Sequence, residues 1–268
     1  MTFELPEISI PADLPREEMP DLLRHWYLGP RGRRHMMHRR FAEVDRHLDP
    51  SAGTRVLDVG SAWGFNVMAL ARLGFRAVGI DIVPDQFAVG KRIAGSNAVA
   101  FDVAGADASA LPFPDGLFDY VTLVETFEHI FDDDRAGAVA ECRRVLRSGG
   151  RIVLSTPNHA SLVERGKRFA VRHGWIRERL PSMCLPDAGT PRAAYHPYRY
   201  HRPLPDRDIV ALLTHAGFTV THVSRFLFVL KNTPDALAPA CAALERVLER
   251  TPLLGRLAAT VCVVAVKR

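Results

Sequence analysis

The stretch Arg55-Val-Leu-Asp-Val-Gly-Ser-Ala-Trp-Gly-Phe65 decides the fold, because three kinds of local structure follow one another within it. Its apolar start predicts a buried strand, its small residues predict a tight turn, and a helix should follow over residues 66–73. Gly60 and Gly64 let the backbone come close to a ligand, since neither has a Cβ atom. The helix that follows directs free N–H groups at the space above the strand end. The stretch therefore predicts a ligand site at a strand-to-helix turn.

A second predicted strand, over residues 76–82, brings an acid to the same edge. Asp81 stands 23 positions after Asp58, and a carboxylate there can accept hydrogen bonds from both hydroxyls of a ribose. The dinucleotide fingerprint G-x-G-x-x-G needs glycine at the positions where this chain has Ala62 and Phe65. An NAD-type cofactor is therefore disfavoured. The structural alternative is a βαβ unit whose glycines only make a turn.

The pattern Asp58-x-Gly60-x-x-x-Gly64 resembles motif I of the class I S-adenosylmethionine (SAM) methyltransferases. That family usually has glycine where Ala62 stands, which implies slightly less room here. The resemblance implies SAM as the cofactor and S-adenosylhomocysteine as its product.

Two later runs resemble the same family, Gly105–Asp119 and Arg144–Asn158. The resemblance is strongest over residues 55–158 and extends over 54–266. It implies that Asp107 accepts from the adenine amino group and that Ala108 offers its backbone N–H to the ring; for Asp107 an Asx-turn is the alternative. The cofactor-binding residues that it implies are Asp58, Gly60, Ala62, Gly64, Asp81, Ile82, Gln86, Asp107, Ala108 and Glu125.

The fold expected from these elements is α/β, with a Rossmann-like, seven-stranded, mostly parallel sheet and helices on both faces. A third strand is predicted over residues 98–103. A later helix is expected to be capped by Asp132 or Asp133, to run to about Leu146 and to end at Ser148-Gly-Gly150. We expect four segments: an N-terminal arm and helical cap (1–50), a SAM-binding core (51–158), a substrate lid insertion (159–202) and the C-terminal part of the sheet (203–268).

Chemistry is expected at Glu125-x-x-Glu128-His129, which follows the fourth predicted strand. His129 is a candidate general base for a substrate hydroxyl, with Glu128 beside it. The resemblance covers two subgroups of the family. In one, the glutamate–histidine pair shapes the cofactor pocket or the histidine is the base. In the other, which includes RNA 3′-terminal 2′-O-methyltransferases, this pattern and a downstream histidine bind Mg²⁺ or Mn²⁺. The third interpretation is that Glu128 and His129 only cap and pack the helix start. The metal interpretation would use Glu125, Glu128, His129 and a histidine chosen from His159, His196 and His201, of which His201 is preferred.

The N-terminal part contains the dense basic stretch Arg31-Gly-Arg-Arg-His-Met-Met-His-Arg-Arg40. It predicts either the solvated face of a helix packed beside the core or a segment that closes over the cofactor. In the second case Tyr27, Arg31 or a neighbour would contact SAM, an arginine pairing with its carboxylate.

Composition excludes several classes of protein. No run of about 18 apolar residues is present, the N-terminus lacks the pattern of a signal peptide, and the four cysteines form no C-x-x-C pair. A cytoplasmic protein is expected. The net charge of +5 over 268 residues permits an acidic partner, but only four of the 35 basic residues are lysine, and such an arginine bias often reflects a GC-rich genome.

The resemblance thus implies O-methylation of a small metabolite, such as a natural product, a sugar or a quinone-like acceptor. One alternative is a metal-dependent RNA 3′-end 2′-O-methyltransferase, with a nucleic-acid partner. The other is a SAM-binding protein that catalyses a reaction other than methyl transfer. A homodimer is compatible with all three.

Overall fold

The computed structural model describes residues 6–51, 53–173, 200–228 and 233–268. In this part of the chain, seven strands form one sheet in the order β3-β2-β1-β4-β5-β7-β6. Neighbouring strands from β3 through β5 are parallel, whereas β7 is antiparallel to both β5 and β6. The predicted seven-stranded, mostly parallel sheet is confirmed. The strands are β1 (Arg55–Val59), β2 (Arg76–Asp81), β3 (Asp102–Gly105), β4 (Phe118–Val124), β5 (Leu146–Pro157), β6 (Phe218–Phe226) and β7 (Thr260–Lys267).

Helices connect these strands and cover both faces of the sheet. A short π-helix (Leu23–Tyr27) precedes the first α-helix, and 3-10 turns at Pro84–Gln86 and Phe127–His129 follow β2 and β4. The α-helices are α1 (Arg31–Asp45), α2 (Phe65–Arg72), α3 (Phe87–Ser96), α4 (Arg135–Val145), α5 (Leu162–Arg172), α6 (Asp206–His215), α7 (Ala238–Arg250) and α8 (Pro252–Gly255).

Alternation along the strands divides the core between the two faces of the sheet. In β1, Leu57 packs into one apolar cluster with residues of α4 and α6. Its neighbour Val56 packs into another cluster with residues of α1 and α2. Because successive side chains of a strand point to opposite faces, this short buried strand serves both layers. The arrangement fixes the carboxyl ends of β1, β2 and β4 along one edge of the sheet.

The third strand begins later than the predicted range of 98–103. Helix α3 continues to Ser96 and ends with Ala98 in the left-handed region, at a φ of 51°. The N–H of Val99 donates to the Ala94 carbonyl at 3.1 Å, which closes the helix end. Strand pairing with β2 therefore starts only at Asp102.

The helix predicted to reach Leu146 ends one residue earlier, and its expected caps are wrong. Helix α4 follows Asp134, while Asp132 forms an ion pair of 2.7 Å with Arg135. Leu146 already pairs with Phe118 in β5. The predicted stop, Ser148-Gly-Gly150, lies inside the β5 range, beside an irregularity in its register with β4.

The lid prediction can be followed only in part. Its first helix is present as α5, within the range expected for it. Residues 174–199, which include His196, lie outside the described residues, as does the side chain of Tyr27. Among the described residues, none of the helices has the length and apolar character needed to cross a bilayer.

Candidate functional site

The predicted strand-to-helix turn lies at the carboxyl edge of the sheet between β1 and α2. Gly60, Ala62 and Gly64 all have positive φ, of 78°, 49° and 86°. A Cβ atom on Gly60 would lie only 2.3 Å from the Thr126 side chain. A left-handed backbone conformation is strained for alanine. Ala62 nevertheless adopts this conformation, which glycine would adopt freely. The turn is therefore tightly packed on its inner side.

Asp81, at the end of β2, faces this turn. Its side chain is buried, with 3% exposed. Oδ2 accepts from the N–H of Ala62 at 2.8 Å, and Oδ1 accepts from the N–H of Val83 at 2.9 Å. A carboxylate oxygen can accept more than one hydrogen bond. The neighbouring Ile82 leaves an apolar side chain 53% exposed at the same edge. The geometry is compatible with the predicted ribose contact, which remains a prediction.

Asp58 is held inside the protein by two side chains. Its Oδ1 accepts from Nδ2 of Asn66 at 2.9 Å and from Oγ1 of Thr122 at 2.7 Å. Burial raises the pKa of Asp58 to about 6, and these hydrogen bonds oppose the rise. Asp58 thus joins β1, α2 and β4 next to the turn. The direct cofactor contact predicted for it is not tested.

The other predicted adenosine contacts lie around the ends of β2 and β3. Oδ1 of Asp107 accepts from the backbone N–H and the hydroxyl of Ser109, at 2.8 and 2.7 Å. This is the Asx-turn that the sequence offered as an alternative. Ala108 is partly buried, and Gln86 ends the 3-10 turn after β2. Their contacts with adenine remain predictions.

Glu125, directly after β4, is held in a buried ion pair. Its φ of 53° is unusual for a residue other than glycine. Oε2 lies 2.9 Å from Nη2 of Arg40, and Oε1 accepts from Oγ of Ser155 at 3.2 Å. Burial raises the pKa of Glu125, while the Arg40 guanidinium acts in the opposite direction. A strained backbone and a buried charge pair at a strand end are typical of a functional site.

Sequence reasoning missed Arg40 as a site residue. The basic stretch was expected either to be solvated or to close over the cofactor through Tyr27, Arg31 or a neighbour. Arg40 is instead 9% exposed and shares the buried face of α1 with Met36 and Val44. The signal was present, because residues four apart share one face of a helix. An arginine between two apolar residues at that spacing points inward.

His129 lies in the 3-10 turn after β4 and has one ring nitrogen fixed. Its Nδ1 is 2.5 Å from the Tyr200 carbonyl oxygen. Because a carbonyl only accepts hydrogen bonds, Nδ1 carries the proton. Burial, reinforced by His201, lowers the pKa of His129 to about 4. The ring is therefore neutral near pH 7, and its Nε2 has a free lone pair.

Glu128 and His201 complete the cluster around that ring. Glu128 is 2% exposed, accepts from Oγ1 of Thr156 at 2.9 Å and has Oε1 3.9 Å from Nε2 of His129. The rings of His129 and His201 are 5.5 Å apart. His201 was the downstream histidine preferred from the sequence. His159 is bonded separately to the Pro203 carbonyl.

The lid helix α5 contributes a second charge pair to this cluster. Glu164 is 2% exposed and contacts Lys167 and His201, the latter at 3.5 Å. Although burial opposes it, the His201 contact and the Lys167 ammonium lower the pKa of Glu164 to about 2. Neither lid residue was expected at the site, since nothing in the sequence indicated which face of α5 turns inward.

A divalent cation does not fit these surroundings. The ligand atoms of Glu128, His129 and His201 lie within 4.8 Å of one another, which distance alone would allow. However, Nζ of Lys167 lies 3.4 Å from Nε2 of His201, the atom that a cation would need. The fourth predicted ligand, Glu125, already forms the ion pair described above. The metal interpretation of this cluster is therefore not supported.

Sequence similarity to known proteins lies mainly in the core of the chain. The family described as "Methyltransferase domain" matches residues 57–154. A ubiquinone biosynthesis O-methyltransferase of Cereibacter sphaeroides is 34% identical over 146 residues, which are 52% of this chain and 56% of that protein. The chain thus spans about half the length of the curated relatives that it matches.

Solved structures show the same fold at low sequence identity. A SAM-dependent methyltransferase of Thermotoga maritima superposes with a TM-score of 0.60 at 17% identity, covering 91% of this chain and 94% of that one. The cyclase SpnF gives a TM-score of 0.55 at 20% identity, covering 85% and 80% of the two chains. Because a methyltransferase and a cyclase share this fold, the fold alone does not decide the reaction.

Proposed function

Because this chain belongs to the class I SAM-dependent methyltransferase family, we propose that it methylates a hydroxyl group of a small acceptor with His129 as general base. The observation that carries the proposal is the state of the His129 ring. Its Nδ1–H is fixed by the Tyr200 carbonyl, and its other nitrogen is neutral at the carboxyl edge of the sheet. Ligands of open α/β sheets bind outside that edge.

The cofactor would lie across the ends of β1 and β2. Asp81 would accept from the ribose hydroxyls, as an acid at the end of the second strand does in nucleotide sites. Ile82 would cover one face of adenine, and Asp107 with Ala108 would contact its edge. The turn from Gly60 to Gly64 would then approach the methionine part. Bound SAM supplies an electrophilic methyl group that needs no further activation.

The protein's remaining tasks are to align the acceptor and to take its proton. Nε2 of His129 is the atom that would accept this proton. The imidazolium so formed would lie beside the Glu128 carboxyl group, whose Oε1 is 3.9 Å away. Glu128 is held by Thr156 and Glu164 is held by Lys167. We therefore assign Glu128 as a positioning residue and His129 as the catalytic residue.

The enclosure of the site by the lid helix and the activity of one relative support a small acceptor. The lid helix brings Glu164 and Lys167 close to His201, which leaves the reacting centre partly enclosed. A small molecule fits such a centre better than a polymer does. The curated relative from Cereibacter sphaeroides acts in ubiquinone biosynthesis, which makes quinol-like and other phenolic hydroxyls the first acceptors to test.

The test measures S-adenosylhomocysteine formed from SAM with a panel of phenols, sugars and other hydroxyl compounds. With an active acceptor, His129→Gln should lower kcat by about 100- to 10,000-fold, the usual contribution of a general base. Its affinity for SAM should stay unchanged. The matched control is His215→Gln, because His215 also bonds a backbone carbonyl through Nδ1 but is exposed on α6.

Two results would contradict the proposal. An unchanged kcat in His129→Gln would show that His129 is not the general base, while the proposed methyl transfer would still hold. Tight SAM binding without S-adenosylhomocysteine from any acceptor would favour a reaction other than methyl transfer.

A further inference from the structure

A second group of metal-binding side chains lies away from the cofactor edge, between α1 and β6. Glu43 is in the last turn of α1, His47 follows four residues later, and His222 is in the middle of β6. Their candidate ligand atoms all lie within 4.8 Å of one another. Oε1 of Glu43 is 4.0 Å from Nε2 of His47, and the two imidazole rings are 4.9 Å apart.

We propose that Glu43, His47 and His222 bind Zn²⁺ or a similar divalent transition metal. Two imidazoles and one carboxylate are a common zinc ligand set, and three protein ligands leave a position for water. Helix α1 ends at Asp45, but Arg46 keeps a helical backbone conformation. His47 therefore stays on the side of Glu43, where the two can reach one ion together. His222 is exposed and can turn towards them.

The present distances allow closure around a metal with small side-chain movements. Zinc ligands lie about 2.0–2.2 Å from the ion, so tetrahedrally arranged ligand atoms are about 3.3–3.6 Å apart. No pair therefore needs to approach by more than about 1.5 Å. Glu43 is already oriented, since its Oε1 accepts from Oγ of Ser224 at 2.7 Å. Such a second partner normally holds a metal ligand in place.

Arg46 places a competing cation beside two of these ligands. Its Nη2 lies 2.9 Å from Oε1 of Glu43, and its Nε donates to Nε2 of His47 at 3.5 Å. The same two atoms would bind the metal. The Arg46 side chain is 46% exposed, so it can move into solvent. A metal and this guanidinium therefore compete for one pair of ligands. Lys167 at the candidate active site differs, because its carboxylate partner Glu164 is not among the ligand atoms of the cluster there, so a metal would not replace the contact that holds the ammonium in place.

Metal binding here would connect the N-terminal helix to an edge strand of the sheet. Helix α1 also carries Arg40, which pairs with Glu125 at the candidate active site. A ligand that binds only the folded protein raises its stability by mass action. The site would therefore stabilise the segment that holds Arg40, independently of whether the chain transfers methyl groups.

The experiment is a calorimetric titration of the full, tag-free, chelator-treated chain with ZnCl₂, with Co²⁺ absorption as a second readout of tetrahedral geometry. We expect one equivalent of zinc, lost in His222→Gln and retained in His201→Gln and His215→Gln. Removing the competing charge in Arg46→Gln should tighten binding about tenfold.

The outcomes separate this site from other sources of zinc binding. Because His222 is exposed, its substitution should leave the fold intact, and the thermal melt of the metal-free variant checks this. Zinc binding that survives His222→Gln, or that is lost in His201→Gln, would overturn the proposal. Unchanged or weaker binding in Arg46→Gln would also overturn it, because Arg46 would then not compete for the ligands.

Discussion

Replacing Arg40 by methionine tests the buried ion pair at the site. Methionine keeps most of the apolar stem but leaves Glu125 without the guanidinium 2.9 Å from its Oε2. Both side chains are nearly buried, with 11% and 12% exposed. Removing one partner of a buried pair usually costs about 3–5 kcal/mol if the other stays charged. Glu125 can avoid part of this cost by taking a proton.

The pH dependence follows from the sign of the pKa shift. In the folded protein burial raises the pKa of Glu125 from 4.5 to about 7, although Arg40 opposes the rise. A raised pKa favours the folded state when the group is protonated, so stability is lost as the pH rises from 4.5 through the folded value. Without Arg40 the folded value is higher still, and the loss continues to higher pH.

The expected loss of folding stability in Arg40→Met is small near pH 7 and larger at higher pH. A neighbouring guanidinium lowers a carboxyl pKa by about 1–3, and each unit corresponds to about 1.4 kcal/mol. With a shift in the middle of that range, the free energy of unfolding of Arg40→Met should be lower than that of the wild type by less than about 1 kcal/mol at pH 7 and by about 2 kcal/mol at pH 9, in addition to any packing effect.

Urea unfolding of the wild type and Arg40→Met from about pH 6 to about pH 9 measures this difference. The same substitution in the Glu125→Gln background should show a difference that does not change with pH. Arg147→Met is the control for an exposed pair, since its partner Asp119 lies at the surface of the sheet, and should cost less than about 1 kcal/mol. A constant difference between wild type and Arg40→Met, or a pH dependence that persists with Glu125→Gln, would refute the reasoning.

Three further predictions concern the turn, the adenine face and the base. Gly60→Ala should lower the melting temperature and weaken SAM binding, because Gly60 has a φ of 78° and the new Cβ would lie 2.3 Å from Thr126. An unchanged melting temperature would contradict the packing described for the turn. Ile82→Ala should weaken SAM binding by about 1 kcal/mol without changing the melting temperature, because this side chain is 53% exposed; equal affinity would exclude its contact with adenine. The pKa of His129 is lowered to about 4, so this histidine should stay neutral, and kcat should not fall because of its protonation, between about pH 8 and about pH 5. A pH–rate profile measures this. A fall in kcat near pH 6.5 that is absent in His129→Gln would contradict the prediction.

The sequence predicted those parts of the structure that depend on local patterns. The run from Arg55 to Phe65 contains its own strand, turn and helix signals, and they formed as expected. Asp81 could be anticipated because its place depends on one βαβ unit. The end of α3 could not, since Ala98 adopts a left-handed conformation that its residue type does not indicate.

The parts of the site that escaped prediction depend on contacts between distant segments. Arg40 and Glu125 are 85 positions apart, and only the packing of α1 on the sheet brings them together. Lys167 meets His201 across the lid for the same reason. This contact argues against the metal site that the E-x-x-E-H spacing alone had left open. The contacts proposed for the cofactor remain predictions.

The central claim is that the edge formed by Gly60–Gly64 and Asp81 binds SAM, and calorimetric titration with SAM tests it most directly. We expect one equivalent to bind the wild type and Asp81→Ala to weaken binding by about 1–3 kcal/mol, or about 5- to 150-fold. Asp102→Ala is the control, since this exposed acid lies at the opposite end of a neighbouring strand and should not affect affinity. No binding to the wild type, or equal affinity in Asp81→Ala, would contradict the account.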